Sequence, residues 1–308
     1  MKIVFFGTPE FAIPSLKKLI ENFNVVAIVT VPDKEKGRGL HLEPSPVKKF
    51  ALSYNIPIFQ PENLRDQNFI DSIKELEPDV GVVVAFRILP VKVFTIPKFG
   101  TFNLHASLLP KYRGAAPIQW ALINGEKETG VTSFFLKEKV DTGNIILQRV
   151  VQIEEEDNFQ SLHDKLSEIG AELVFETCKK IESGNFSTKP QDESQATKAP
   201  KITKEICKID WNKPAIKIHN LVRGLSPVPG AFTELDGRII KIFKTKIIKD
   251  SIADAPGKIE SSNKQIFVHT ADNLIEILEL QLESKKRMSA EEFLRGYKGL
   301  LDDKKNFT

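Results

Sequence analysis

The sequence contains only two cysteines, Cys178 and Cys207, among its 308 residues. Two thiols cannot build a disulfide framework and are too few for a zinc cluster, so we expect both to be ordinary buried thiols. No apolar run approaches the roughly 18 residues that a membrane-spanning helix needs. The first residues also lack the long apolar stretch and the small-residue cleavage site of a signal peptide. These absences predict a cytoplasmic protein.

Motifs of several common enzyme classes are missing as well. The loop after the first apolar run reads Gly-Thr-Pro-Glu at residues 7–10, without the second and third glycines of a dinucleotide-binding fingerprint. Pro9 has no N–H to offer a phosphate, and Glu10 would repel one. The sequence also has no Gly-x-Ser-x-Gly elbow and no group of residues with metal-ligand spacing. We therefore expect no NAD site, no serine triad and no metal.

The composition is that of a folded protein with an uneven distribution of charge. Hydrophobic residues make up 41% of the chain, which is enough for a core and argues against a disordered chain. At roughly 150 residues per domain, the length favours two domains. Residues 198–308 carry 21 Lys and Arg against 15 Asp and Glu, whereas residues 1–197 carry 23 against 26. The basic C-terminal third indicates either a polyanionic partner or a solvated lysine-rich surface.

Short apolar runs alternate with helical patterns in the N-terminal half. Strands are predicted at residues 2–7, 25–31, 80–85 and 100–105, and helices at 14–20, 46–54 and 68–76. This alternation predicts an α/β fold with a Rossmann-like, doubly wound parallel sheet. Functional sites in such sheets lie beyond the carboxyl ends of the strands.

The pattern changes after a helix predicted at residues 159–183. A polar stretch comes first, and then one helical pattern at 214–222 precedes five short β-like runs, which predicts a smaller, OB-like β-barrel. The predicted domains are residues 1–189 and 207–308, joined by a linker at 190–206.

Asn103 and His105 stand two residues apart at the end of the fourth predicted strand. Because side chains alternate along a strand, both point to one face and Leu104 to the other. An amide N–H and an imidazolium N–H side by side can donate to one oxygen, which suits a developing oxyanion. Asp141, in a polar turn, is the candidate carboxylate to set the protonation state of the imidazole. On spacing alone, the pair serves either acyl-type transfer or a structural role.

Four motifs surround these residues. They are Asn-Leu-His-Ala-Ser-Leu-Leu-Pro at residues 103–110, Arg-Gly-Ala-Ala-Pro at 113–117, Glu-Thr-Gly-Val-Thr at 128–132 and Asp-Thr-Gly at 141–143. Together they resemble the 10-formyltetrahydrofolate-dependent formyltransferases. The resemblance continues through motifs at residues 209–211, 218–220 and 223–227, so the whole chain is similar to the members that act on methionyl initiator tRNA.

The resemblance implies an enzyme that moves a formyl group from 10-formyltetrahydrofolate, a co-substrate, to the α-amine of methionyl initiator tRNA. It also implies a monomer that does not associate with a membrane. Asn103 and His105 would bind and polarise the formyl oxygen. Asp141 would tune His105 and, through water, assist proton removal from the attacking amine. The folate site would be lined by Ser107, Leu108, Leu109 and Pro110.

The choice of acceptor depends on the loop at residues 32–47, which contains Gly-Arg-Gly at 37–39. It resembles the inserted loop by which the tRNA-specific members grip the acceptor stem, since flanking glycines let a cation reach phosphates. The alternative is a flexible solvated loop. We expect tRNA contacts from Lys36 and Arg38 in this loop, and from three lysines of the basic C-terminal part, Lys241, Lys244 and Lys246.

Two other functions stay open. A sugar-nucleotide amine formyltransferase would share the catalytic residues but lack the Gly-Arg-Gly loop, and a tRNA-binding relative could have lost catalysis.

The segment at residues 84–90 is also one residue and a glycine shorter than in many relatives. The resemblance places this segment beside the folate pterin, where Arg87 is either a local surface residue or a donor to the folate.

Overall fold

The computed structural model describes residues 1–36, 41–249, 254–262, 264–301 and 306–308. The chain divides into two units. Unit 1 comprises Met1–Gly114, Glu128–Gln152 and His163–Ala199, and unit 2 comprises Ala115–Lys127, Ile153–Leu162 and Pro200–Thr308. The domain limits drawn from the sequence, 1–189 and 207–308, stay a prediction.

The four strands predicted in the N-terminal half and the five predicted helices are present, whereas several further strands and helices were not predicted. The strands are β1 (Lys2–Gly7), β2 (Asn24–Val29), β3 (Lys34–Lys36), β4 (His41–Glu43), β5 (Ile58–Phe59), β6 (Val80–Val84), β7 (Thr101–His105), β8 (Arg113–Gly114), β9 (Glu128–Phe135), β10 (Ile145–Gln152), β11 (Lys198–Ala199), β12 (Ala231–Leu235), β13 (Arg238–Ile248), β14 (Ile259–Ser261), β15 (Ile266–His269), β16 (Leu274–Leu282) and β17 (Met288–Ser289). The helices are α1 (Ile13–Asn22), α2 (Pro46–Ala51), α3 (Gln67–Glu75), α4 (Val91–Phe94), α5 (Pro117–Asn124), α6 (Phe159–Glu182), α7 (Ala215–Leu225) and α8 (Ala290–Tyr297).

Unit 1 is built on a seven-stranded sheet in the order β10-β9-β7-β6-β1-β2-β5. The five strands from β7 to β5 are parallel, which confirms the predicted doubly wound sheet. Every residue of β6 is buried, as expected of a strand covered on both faces. β9 and β10 extend the sheet in antiparallel pairing. Neither of these two strands was predicted from the sequence.

The helices of unit 1 begin and pack as their sequences require. Pro14 lies in the first turn of α1, where its missing N–H costs nothing. Asp66 caps α3 by accepting a hydrogen bond from the backbone N–H of Phe69 at 3.1 Å. The long helix α6 passes so close to β7 that a side chain at Gly170 would meet Leu104 at 2.7 Å. Leu104 therefore packs on α6, and the opposite face of β7 carries Asn103 and His105.

Unit 2 is built on an antiparallel sheet in the order β12-β13-β16-β15-β14, with β17 paired to β16. This agrees with the predicted small barrel-like domain, although helix α8 was not predicted. Its apolar residues Phe293 and Leu294 are buried in the core of the unit. Trp211 stacks on Phe307 with ring centroids 5.7 Å apart and donates to Thr233 Oγ1 at 3.0 Å, so it is a core residue. None of the helices in the described ranges combines the length and the apolar character needed to cross a membrane.

The packing of α8 predicts a stability effect. Phe293 is fully buried, so Phe293→Ala should lower the free energy of unfolding by about 3–5 kcal/mol. The exposed Arg295 of the same helix is the matched control, and Arg295→Ala should cost less than about 1 kcal/mol. Both tryptophans of the chain lie in unit 2. Urea unfolding followed by tryptophan fluorescence therefore measures this unit, and similar midpoints for the two variants would contradict the assignment of Phe293 to its core.

Candidate active site

Asn103 and His105 project from one face at the end of β7, as the strand alternation predicts. β7 lies between β6, which is parallel to it, and β9, which is antiparallel, and His105 is opposite Thr132 of β9. The His105 side chain is 7% exposed, whereas Asn103 is half-buried. Among the described residues, the side-chain amide of Asn103 neither donates nor accepts a hydrogen bond. The amide is therefore available to a ligand, beside a ring that is held inside the protein.

The two nitrogens of His105 have different surroundings. Nε2 lies 2.8 Å from the backbone oxygen of Tyr112. Because a carbonyl oxygen only accepts, Nε2 carries a proton and donates it to this bond. Nδ1 lies 3.9 Å from Oδ2 of Asp141, beyond direct hydrogen-bond range but within reach of a charge interaction. Nδ1 thus has no direct hydrogen-bond partner among the described residues.

Asp141 reaches His105 from a strained turn between β9 and β10. Its backbone lies in the left-handed region, with φ of 54°, which is uncommon for a residue with a side chain. Its Oδ2 accepts a hydrogen bond from the backbone N–H of Gly114 at 2.9 Å. The turn can close because Gly143 has no side chain, since a Cβ there would lie 1.5 Å from the carbonyl oxygen of Phe135. The structure thus brings together the three residues that the sequence predicts for catalysis.

The segment at residues 107–110 follows β7 and is held by buried polar groups. The hydroxyl of Thr132 donates to the backbone oxygen of Ser107 at 2.6 Å and accepts from the backbone N–H of Leu109 at 3.2 Å. Gln148 of β10 donates to the Leu109 oxygen at 2.8 Å and to the Thr132 hydroxyl at 3.0 Å. Ser107 and Leu109 are buried, and Leu108 and Pro110 are half-buried. The sequence analysis missed Gln148, which stands in an ordinary strand pattern.

The shortened segment after β6 lies at the carboxyl end of its strand. Arg87 donates to the backbone oxygens of Pro61 and Glu62 at 2.8 and 3.1 Å, which favours the local role over a role as folate donor. Ile88, the next residue, is 73% exposed. An exposed aliphatic side chain at this position offers an apolar surface to a flat ring.

The predicted tRNA-binding loop, residues 32–47, includes the antiparallel strands β3 and β4. Arg38 lies outside the described residues, and Lys36 belongs to β3. A polar network lies at the base of the hairpin, where Lys48 Nζ binds Asp33 and Gln60, each at 2.7 Å. Hydrogen bonds from Lys48 and Gln60 lower the pKa of Asp33 below its ordinary value. The base of the hairpin is therefore tied to α2 and to the segment after β5.

The predicted lysines of β13 differ in their surroundings. Lys241 donates to the backbone oxygen of Pro229 at 2.8 Å, whereas Lys244 and Lys246 are exposed. Lys244 and Lys246 line a groove of about 970 Å³ within unit 2, together with Lys217, His219 and Arg223. Burial, together with the charge of Arg223, lowers the pKa of His219 below its ordinary value. The groove also holds acidic residues, and Glu156 lies 3.7 Å from Lys244.

One group of potential metal ligands occurs within the described ranges, formed by Asp254, Glu260 and His269 of unit 2. His269 is hydrogen-bonded to Glu260 at 2.8 Å, and Lys258 forms an ion pair with Asp254. An ammonium group on the aspartate competes with a metal cation for the same oxygen. The absence of a metal stays a prediction.

Two family models match successive parts of this chain. A family model described as formyl transferase matches residues 1–178, and one described as formyl transferase, C-terminal domain, matches residues 201–298. A methionyl-tRNA formyltransferase of Caldanaerobacter subterraneus subsp. tengcongensis is 47% identical over 300 residues, covering 96% of this chain and 97% of that protein. One from Thermodesulfovibrio yellowstonii is 50% identical over 298 residues, covering 96% of each.

Solved structures with a similar fold have lower sequence identity. HypX from Aquifex aeolicus in complex with tetrahydrofolic acid superposes with a TM-score of 0.67 at 18% identity, covering 96% of this chain and 47% of that chain. An N-formyltransferase from Helicobacter canadensis, in complex with folinic acid and dTDP-3-aminofucose, superposes with a TM-score of 0.67 at 20% identity, covering 94% and 100%. At these identities the likeness shows the shared fold alone.

The hydroxyl of Thr132 is expected to hold the segment at residues 107–110 in place. Thr132→Val keeps the shape but leaves buried backbone groups of Ser107 and Leu109 without this partner, at about 1–3 kcal/mol for each. Chemical unfolding should show this loss in the free energy of unfolding. The matched control is Thr142→Val, because that hydroxyl bonds only to Lys139 at the surface. An equal and small effect of both substitutions would argue against the Thr132 network.

Proposed function

This chain belongs to the formyl transferase family, and from that premise we propose that it transfers a formyl group from 10-formyltetrahydrofolate to the α-amino group of methionyl initiator tRNA. The proposed catalysis rests on one observation. The amide of Asn103, the ring of His105 and the carboxylate of Asp141 converge at the carboxyl end of β7. The choice of acceptor is supported by relatives at 47% and 50% identity that bear the name methionyl-tRNA formyltransferase.

The residues present fit a bound folate that supplies the formyl group. Asn103 offers an amide without a partner among the described residues, and the backbone from Ser107 to Pro110 is held firmly beside it. The exposed Ile88 adds apolar surface at the neighbouring strand end. Donors that are fixed before the reaction stabilise the charge that develops on the formyl oxygen without having to reorganise. In many acyl transfers this electrostatic stabilisation contributes more to the rate than any other effect.

His105 holds its proton at a defined atom. Nε2 is committed to the Tyr112 oxygen, so the proton that serves the reaction is the one at Nδ1. Nδ1 faces the Asp141 carboxylate across 3.9 Å, within reach of a charge interaction. Asp141 is 11% exposed and can accept a proton from the attacking amine through a water molecule. The Asn103 amide and the N–H at Nδ1 of His105 thus polarise the formyl oxygen, while Asp141 accepts the proton of the attacking amine.

The assay that tests the proposal supplies labelled 10-formyltetrahydrofolate with two alternative acceptors. The expected result is label on methionyl initiator tRNA and none on a dTDP-amino sugar. Label on the sugar alone would identify a sugar-nucleotide amine formyltransferase. Binding of tRNA without any transfer would identify a relative that has lost catalysis. Either result would overturn the proposed acceptor or the proposed activity.

Substitution of the two strand residues should affect the chemical step more than binding. Asn103→Ala should lower kcat by about 10²–10³-fold because one donor to the developing oxyanion is removed. His105→Ala should lower kcat by about 10²–10⁴-fold. The affinity for tRNA should stay nearly unchanged in both. His163→Ala is the control, because His163 lies on α6 beside Asp164 and Phe11. Full turnover in Asn103→Ala would contradict the assignment.

The groove lysines should contribute to tRNA affinity by binding phosphates. Lys244→Ala with Lys246→Ala should weaken tRNA binding, and the slope of log K against log salt should fall by roughly 0.7–0.9 for each phosphate that is no longer neutralised. The matched control is Lys264→Ala, since Lys264 also lies in unit 2 but pairs with Glu291 outside the groove. Binding measured from low to high salt provides the slopes. Parallel lines for the double variant and the unmodified protein would exclude these lysines from the tRNA interface.

A further inference from the structure

Gln191 lies in the polar stretch for which the sequence predicts a linker, yet its side chain forms four hydrogen bonds. Its Nε2 donates to the backbone oxygens of Asp141 at 2.9 Å and Gly143 at 2.8 Å. Its Oε1 accepts from Nε and Nη2 of Arg113 at 3.0 and 2.7 Å. Both ends of the amide are therefore used, one on the turn that carries Asp141 and the other on the strand β8.

Arg113 connects this amide to a second support. Its guanidinium also binds both oxygens of Glu193, at 2.9 and 2.7 Å, and its side chain is 11% exposed. Hydrogen bonds from a charged guanidinium in a two-pronged geometry are strong and directional. The backbone of Arg113 pairs with Lys198 in the parallel pair β8–β11. The guanidinium is thus held on both sides, and it fixes the orientation of the Gln191 amide.

The same segment supports the N–H group that binds the Asp141 carboxylate. Gly114 pairs with Ala199 in β8–β11, and its φ of 127° is in a region that favours glycine. A Cβ at Gly114 would lie 2.6 Å from the Ala199 oxygen, so the two backbones approach as closely as they can. The main chain of Asp141 and its carboxylate therefore both depend on residues 191–199.

We propose that Gln191 is a positioning residue for formyl transfer, acting by holding the turn at Asp141 so that its carboxylate faces Nδ1 of His105. This inference rests on the proposed function of Asp141. The left-handed backbone of Asp141 must be held from outside, because a residue with a side chain does not favour it. At 3.9 Å the carboxylate and the ring are already at the edge of close interaction, so a small displacement of the turn separates them.

Gln191→Glu is the sharpest single substitution. The new carboxylate keeps the oxygen that accepts both hydrogen bonds from Arg113, but it has no N–H for the Asp141 and Gly143 oxygens and repels both. We expect kcat to fall by about 10–100-fold, because a misplacement of roughly 1 Å costs about 10²-fold. KM for tRNA and for the folate should stay within about twofold. The matched control is Gln195→Glu in the same segment, since Gln195 is exposed and bonds only to Asp192.

A double-mutant cycle shows whether Gln191 acts through Asp141. In an Asp141→Asn background the carboxylate is already gone, so adding Gln191→Glu should change kcat by less than about twofold. A role in general stability would instead lower kcat by the same factor in both backgrounds. If Gln191→Glu does not fold, Gln191→Met replaces it, because that side chain removes the donors without placing a charge against two carbonyl oxygens.

Three outcomes separate the possible failures. A fall in kcat for Gln191→Glu that disappears in the Asp141→Asn background supports the inference. A normal kcat for Gln191→Glu, or equal falls in both backgrounds, overturns the inference and leaves the proposed function standing. A normal kcat for Asp141→Asn alone overturns the catalytic role of Asp141, and with it any positioning role for Gln191.

Discussion

The candidate site depends on one hydrogen bond, from Nε2 of His105 to the backbone oxygen of Tyr112. This bond fixes the plane of the imidazole and leaves Nδ1 as the nitrogen that can exchange a proton. It also determines which side of the ring a carboxylate must approach. Tyr112 is itself held, since its N–H donates to the hydroxyl of Thr197 at 2.8 Å. The chemistry of the ring is therefore set by a loop residue that acts only through its backbone.

The three reactive side chains are supported in two different ways. Asn103 and His105 lie on a strand with neighbours on both sides, so the sheet places them without further help. Asp141 lies on a turn in a left-handed conformation, and a turn is held only by what contacts it. The bonds from Gly114 and Gln191 provide that support. A strand thus positions Asn103 and His105, and a turn held by its neighbours positions Asp141.

Unit 2 shows how a basic composition is distributed between core and surface. Along β13, buried Ile242 and Phe243 are followed by exposed Lys244, buried Thr245 and exposed Lys246. The same strand therefore contributes residues to the core and to the groove. The acidic residues of the same groove reduce its net attraction for any polyanion. The excess of Lys and Arg in the C-terminal third was evident from composition. Composition alone did not show that Lys244 and Lys246 lie exposed on the same strand, β13.

The sequence by itself determined the alternation of the main parallel strands with helices and the shared face of Asn103 and His105, because periodicities of 2 and 3.6 residues are local properties of the chain. The motifs around residues 103–143 also indicated formyl transfer through their resemblance alone. Only the tertiary structure decided the antiparallel direction of β9 and β10, the tautomer of His105 and the bracing of Asp141 by Gln191. Each of these depends on partners far apart in sequence, such as Gln191 and Asp141, which no local pattern relates. Residues 190–199 show this most clearly, since their polar composition is that of a linker, and the bonds that tie them to the site form only when the chain is folded.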